Sequence, residues 1–302
     1  RLKGVISGPD ALGARTSGVI EGEFFGTSDT ELNGFRLRHA FIKLNWTNTE
    51  LLVGQYWHPM FNTSCFPGTV SFNTGAPFEP FSRNPQVRVT QKMGKFNVAL
   101  TAMSQKDFMS TGPQGASTVY LRNTVTPAMN LAIEYKYAIP ETPREILAGA
   151  SFSYKTIRPQ TVSDSGYQTK TNLASYGISA FFKYACRPFT VKIHNYYGGD
   201  ATNLTMLGGY AVTGVTDIEK GFVTYTPIFN NSTWVDFHTN GKTWQYGLFA
   251  GYSKNLGSAD EIRGGLYSRG SKIDYVYRVS GRVMFNAGKF RVAPEVEYTS
   301  AA

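Results

Sequence analysis

Charge is scarce in this sequence: Asp, Glu, Lys and Arg make up 17% of its 302 residues, where a soluble domain carries about 25%. Acids are scarcer than bases, 21 against 30, which leaves a formal charge of +9. Cysteine is almost missing. Cys65 and Cys186 do not make a disulfide framework. No run of 18 apolar residues occurs, so a spanning helix is excluded, and the mean hydropathy of −0.25 agrees. The bases are spread singly, without a basic cluster or a nucleic-acid motif, so nucleic acid is not an expected partner. The four histidines, His39, His58, His194 and His238, lack metal-ligand spacing. Gly241-Lys242-Thr243 resembles the end of a phosphate loop, but Asp236 stands where the earlier glycine is required. Neither G-x-S-x-G nor H-E-x-x-H occurs. Catalysis, a metal and a cofactor are therefore not expected.

Aromatic residues and glycine are abundant: 18 Tyr, 21 Phe and 31 Gly. Low charge and many aromatics without a spanning helix suit a membrane β-barrel, whose strands place apolar residues at every second position. Period-2 segments recur along nearly the whole chain. In residues 129–137, Met129, Leu131, Ile133, Tyr135 and Tyr137 alternate with Asn130, Ala132, Glu134 and Lys136. In 273–285, Tyr275, Tyr277, Val279, Gly281, Val283 and Phe285 oppose Val276, Arg278, Ser280, Arg282 and Met284. Turn chemistry separates the segments, most clearly at Asn240-Gly241.

About 14 strands result. Short turns fall near 8–14, 47–50, 93–95, 138–144, 186–188, 240–242 and 286–288; longer loops fall near 26–33, 58–85, 105–126, 157–173, 198–232 and 255–272. That alternation is the mark of a membrane barrel, with tight periplasmic turns and longer outer loops. The expected fold is all-β: one transmembrane antiparallel barrel over residues 1–302. The sequence opens on Arg1-Leu2-Lys3-Gly4-Val5-Ile6, which reads as mid-strand, and bacterial barrels have even strand numbers. With both termini in the periplasm, one strand is missing at each end and the complete barrel has about 16, enough for an aqueous channel. Trp46 and Trp244 then lie beside short turns, and Trp57 and Trp234 at outer strand ends, so all four are expected in the interfacial girdles.

Residues 58–85 interrupt the pattern. They contain Cys65, Pro67-Gly68, Phe72, Gly75, Phe78, Phe81 and Arg83 without periodicity, and so long a structureless stretch is expected to be functional. By strand order it is the third outer loop, a candidate constriction. Its one acid is Glu79, near Arg83. Alternation turns Arg88, Lys192, Arg278, Arg282 and Arg291 towards the lumen, because a lipid-facing Arg at the midplane costs about 2–4 kcal/mol. Glu21, Glu23, Glu134, Glu295 and Glu297 point inward on the same logic. Arg36 and Arg38 share a face with Ile42, Leu44 and Trp46. A bulge near His39 would resolve that conflict; a subunit interface would do so equally.

Phe35-Arg36-Leu37-Arg38-His39-Ala40-Phe41 and Leu52-Val53-Gly54-Gln55-Tyr56-Trp57 resemble the DcaP-like porins of Gram-negative outer membranes. The resemblance implies a homotrimer that passes small anionic solutes such as dicarboxylates, with the third loop folded into the lumen. The expected function is passive diffusion of small hydrophilic, preferably anionic, solutes through an outer-membrane porin in the lipid bilayer. The expected pore-lining set is Arg36, Arg38, Glu79, Arg83, Arg88, Lys192, Arg278, Arg282 and Arg291. A plugged barrel that docks in a larger complex is the alternative, and a barrel enzyme built on His58, Asp236 and His238 is more remote. Cys65 and Cys186 fall at opposite ends of the barrel and are not expected to pair.

Overall fold

A computed structural model describes residues 1–26, 31, 33–71, 73–139 and 142–302. Most of the loop expected at 26–33, Phe72, and Pro140-Glu141 of one short turn lie outside the described residues. The strands form a 17-stranded sheet in which every ladder is antiparallel. In chain order they are β1 (Leu2–Ser7), β2 (Arg15–Phe24), β3 (Phe35–Asn45), β4 (Thr49–Trp57), β5 (Arg83–Met93), β6 (Phe96–Met103), β7 (Ala128–Ile139), β8 (Arg144–Ile157) and β9 (Leu173–Ala185). There follow β10 (Phe189–Gly199), β11 (Gly208–Asp217), β12 (Phe222–Thr239), β13 (Trp244–Ser258), β14 (Leu266–Arg269), β15 (Tyr275–Ala287), β16 (Phe290–Val292) and β17 (Glu295–Ala301). Strands β11 and β14 belong to the outer loops, and β16 with β17 is one strand broken at Ala293-Pro294. The wall therefore has the expected 14 strands. Each pairs with its neighbour in order, and β1 and β17 form the two edges, with no ladder joining them among the described residues.

Short turns let consecutive strands pair directly. Gly94 and Gly288 take φ of +60° and +61° there, a left-handed geometry that only glycine adopts freely. The conflict in β3 resolves as a bulge. Glu21 pairs with His39 but Gly22 pairs with Leu37, so Arg38 is the extra residue and the face of the strand shifts at that point.

The polarity of the wall is inside out. One continuous row, Val89–Leu100–Leu131–Phe152–Ile178, crosses β5 to β9 by direct register, and all five side chains are exposed. The intervening positions, such as Thr101, Asn130, Ser151 and Ser179, are buried. An apolar outside and a polar inside make a lipid-facing wall around a lumen. The chain from 58 to 82 fills part of that lumen. It leaves between β4 and β5, yet reaches Glu134 on β7 and Glu295 on β17, so the sheet curls around it.

Two details differ from the sequence reading. The stretch 198–232 is not one loop: β12 begins at Phe222, and β11 and β14 extend the sheet beyond the wall. There Tyr120, Leu121 and Tyr210 join Met103, Ile157 and Leu173 in an apolar core at the outer mouth. Trp234, moreover, is fully buried inside the barrel, on the same inward face as Ser232 and Asp236, and Trp57 turns its ring to Arg83. Two tryptophans fit the girdle: Trp244, at 52% exposure, and Trp46, whose Nε1 donates to Leu12 O at 2.9 Å.

An outward-facing wall makes a direct prediction. Leu131→Arg should destabilise the barrel in lipid vesicles by about 2–4 kcal/mol, read from a denaturant folding titration. A soluble sandwich would tolerate Arg at this exposed position.

Candidate functional site

The inner loop is built from tight turns and held by charges on the far wall. Within it, Phe61 N donates to His58 O, Cys65 N to Asn62 O, Ala76 N to Asn73 O and Phe78 N to Gly75 O, at 2.8–3.0 Å. Across the lumen, Lys192 Nζ donates to Phe66 O at 2.9 Å and Arg278 Nη1 to Ala76 O at 2.7 Å. Arg282 pairs with Asp236 at 2.8 Å, and the same carboxylate accepts from Gly68 N at 3.1 Å. A Cβ on Gly68 would stand 2.7 Å from Arg282, so only glycine fits against this ion pair. Glu295 accepts from Val70 N and Ser71 N at 2.8 and 2.7 Å. The Phe78 ring lies over the bare backbone of Gly251, where a Cβ would meet it at 2.5 Å.

Glu79 is fully buried where the loop meets the wall. Trp234 Nε1 donates to it at 2.5 Å, and His194 Nδ1 lies 3.5 Å away. Burial pushes the Glu79 carboxyl well above its ordinary value of 4.5, against the smaller opposing effect of the Trp234 hydrogen bond. His58, at the loop's start, is pushed down to about 3 by burial and then by the nearby Arg88 and Lys155 charges, and its Nδ1 accepts from Met60 N. Burial pushes the Cys65 thiol up to about 12. Both cysteines are free.

Between the loop and strands β2, β3 and β5 lies a cavity of about 990 Å³. Among the described residues its lining carries six bases, Arg1, Arg36, Arg38, Arg83, Lys106 and Arg269, against two acids, Glu23 and Asp107. Arg38 is tied to Glu21 at 2.9 Å and Glu23 at 2.5 Å. Asp107 is shared: Arg83 Nε donates to it at 2.6 Å, and Arg36 donates to its other oxygen. Arg36 Nε and Arg83 Nη1 are buried without partners among the described residues, as are Nε and Nη1 of Arg282, and Arg83 is only 1% exposed. Aromatic faces support these cations. Arg83 lies 5.1 Å from the Trp57 centroid and 5.7 Å from Phe81, and Arg36 lies 5.6 Å from Phe108. The rings pack on one another, Trp57 on Phe61 at 4.3 Å and Phe81 on Phe108 at 5.8 Å.

Of the residues singled out in sequence, Arg36, Arg38 and Arg83 gather on this cavity. Lys192, Arg278, Arg282 and Glu79 lie instead under the loop as its anchors. Arg88 lines a separate space of about 170 Å³ with Asn62 and Glu134, and donates to Trp57 O at 2.7 Å. Arg291 is exposed beside the last short turn and donates to Asn286 Oδ1. Sequence reasoning missed Asp107, Lys106, Phe108 and Arg269, all in aperiodic outer segments. An Asp–His pair does form, Asp236 with His238 at 3.2 Å, but it lies near the short-turn end of β12 and Arg282 holds its carboxylate. Among the described residues, no group of His, Cys, Asp and Glu could hold a metal ion.

Wall, lumen and inward loop together have the architecture of an outer-membrane porin. Particular likenesses bear this out at the level of the fold. The outer membrane channel DcaP of Acinetobacter baumannii superposes with a TM-score of 0.69 over 98% of this chain and 76% of its own, at 17% identity. The in-vitro folded trimer form of OmpT, an outer membrane protein of Vibrio cholerae, gives 0.58 over 99% and 80%, at 10% identity. The anion-selective porin of Comamonas acidovorans gives 0.57 over 98% and 76%, at 12% identity. No protein-family model matches the chain, and no curated protein matches it.

Two predictions follow from the loop and from Asp107. Glu79 binds its proton more tightly docked than released, so docking is strongest below about pH 4.5 and weakens as pH rises towards the raised value. Single-channel traces should therefore grow noisier from pH 5 to pH 9, and Glu79→Gln should remove that trend. Asp107→Asn frees two guanidiniums from their shared carboxylate, and should raise anion-over-cation permeability severalfold in reversal-potential measurements.

Proposed function

We propose that this chain is an outer-membrane porin for passive diffusion of small hydrophilic solutes, with a preference for anions. The observation that carries the reading is the cavity of about 990 Å³ between the inner loop and the arginine-bearing strands, with six bases against two acids among the described residues of its lining. Basic side chains lining a narrow passage raise the local concentration of anions and repel cations. Arg36 and Arg83 already hold the two oxygens of the Asp107 carboxylate beside this cavity, and guanidinium N–H groups match a carboxylate's two oxygens. Small carboxylates are therefore the favoured solutes, in keeping with the resemblance to DcaP-like porins. The anion-selective Comamonas porin shares the fold and supports this sign of selectivity. We assign the inner loop, residues 58–85, the role of constriction, and Arg36, Arg38 and Arg83 that of the facing charge. Lys192, Arg278, Arg282 and Glu79 set the position of the loop. The barrel is a homotrimer in this reading, the form named for the Vibrio protein. An enzyme built on Asp236 and His238 is disfavoured in this reading, because the Asp236 carboxylate is committed to Arg282 and Gly68.

The test is conductance in planar bilayers under a KCl gradient. Open channels with a reversal potential favouring chloride are expected. Arg36→Gln with Arg83→Gln should reduce the chloride preference severalfold. Closed traces would favour a plugged, docking role, and cation preference would overturn the anionic reading.

A further inference from the structure

The lipid-facing wall is notched near its short-turn end. Outward positions across β12, β13 and β15 form a row by direct register: Phe237 opposite Leu248, and Leu248 opposite Gly281. The next row towards the turns is Tyr246 opposite Val283, and then Trp244 opposite Phe285. Gly281 interrupts this apolar surface. A Cβ built there meets only Leu248 Cδ2, at 3.8 Å, so the position is open rather than filled by a neighbour. The result is a mostly apolar space of about 330 Å³ lined by Phe237, Tyr246, Gly247, Leu248, Gly281 and Val283, with Arg282, whose side chain is fully buried against Asp236, as the one charged residue among those described.

The foot of the notch has a different chemistry. The Trp244 and Phe285 rings pack at 4.8 Å, and Trp244 is half exposed, as amphipathic rings are at the headgroup level. Just beyond them, Asn286 N donates to Thr243 O and joins the turns that carry Lys242 and Lys289. Both lysines are exposed, and no ion pair to either forms among the described residues. The neighbouring turn adds exposed Arg187 and is tied to this one by Asn240 Nδ2 donating to Cys186 O at 2.7 Å. Gly281 and Phe285 are four residues apart, which spans about 14 Å of strand, the reach of most of an acyl chain.

We infer that this notch is a site for one anionic phospholipid of the leaflet at the short-turn end, its acyl chain along Gly281 and its phosphate between Lys242 and Lys289. Within a bilayer the acyl chain is already out of water, so selection rests on the shape of the notch and on the two lysines. The inference rests on the membrane-spanning wall and not on which solute passes.

Full-length protein purified in detergent and mixed with phosphatidylglycerol or phosphatidylcholine tests it by native mass spectrometry. Retention of one phosphatidylglycerol per chain, severalfold over phosphatidylcholine, is expected. Gly281→Leu should lose the bound lipid, and Lys242→Gln with Lys289→Gln should lose the headgroup preference without touching the wall. Brominated phosphatidylglycerol should quench the wild-type tryptophan emission more than brominated phosphatidylcholine, and Trp244→Phe should abolish the difference. Equal retention of the two lipids by wild type overturns the inference. So does a headgroup preference unchanged in the double lysine variant, a readout that stands if Gly281→Leu fails to fold. A change of assembly size on Gly281→Leu would assign the notch to a contact between copies and also overturn it. Conductance measured on the same preparations reads the pore separately.

Discussion

A backbone that crosses lipid must pair its polar groups within the protein, and an antiparallel sheet does so for every strand between its edges while presenting two faces of opposite character. The rest of this structure follows from that constraint. The outer face is apolar because it meets acyl chains, and the inner face is polar because apolar residues are used outside. A lumen walled by Ser, Asn, Arg and Glu fills with water. The inner loop fills part of that lumen and is pinned to its far wall by Lys192 and Arg278.

The loop and the wall depend on one another through ion pairs that look at first like selectivity features. Arg282 is fully buried against Asp236, and the same carboxylate accepts from Gly68 N and holds one bend of the loop in place. A buried Arg without that acid would be strongly disfavoured, so the pair and the bend stand or fall together. Across the lumen, Arg36 and Arg83 compete for a single carboxylate on Asp107. The same residue types thus do two jobs. Arg282 fixes a bend of the loop through Asp236, and Arg36 and Arg83 are gathered beside the cavity by Asp107.

Period-2 alternation made the wall legible, and it did so because the wall has one simple rule. Strand number, turn positions and the inward direction of Arg278, Arg282 and Lys192 all followed. The conflict at Arg36 and Arg38 even marked the bulge. What the alternation could not distinguish was an inward residue facing water from one facing the loop, because the partner is far away in sequence: Phe66 for Lys192, Ala76 for Arg278. Trp234 was misread for a related reason. Its strand begins at Phe222, well before the Gly- and Thr-rich stretch looked like a strand, so it lies in mid-wall and not at an interface. Asp107 stands in an aperiodic segment with no local signal, and only the fold brings it between two arginines.

The inner loop has a mechanical consequence as well. It is rooted between β4 and β5 and fastened on β10, β12, β15 and β17, so it crosses the cylinder like a tie-rod. A hollow tube of one sheet ovalises easily under lateral compression. A strut fixed at both ends opposes that mode along its own direction and, because the circumference is fixed, along the perpendicular as well; only an oblique ellipse leaves its length unchanged. The stiffness of this barrel in the plane of the membrane is therefore directional, with the softer axes oblique to the loop.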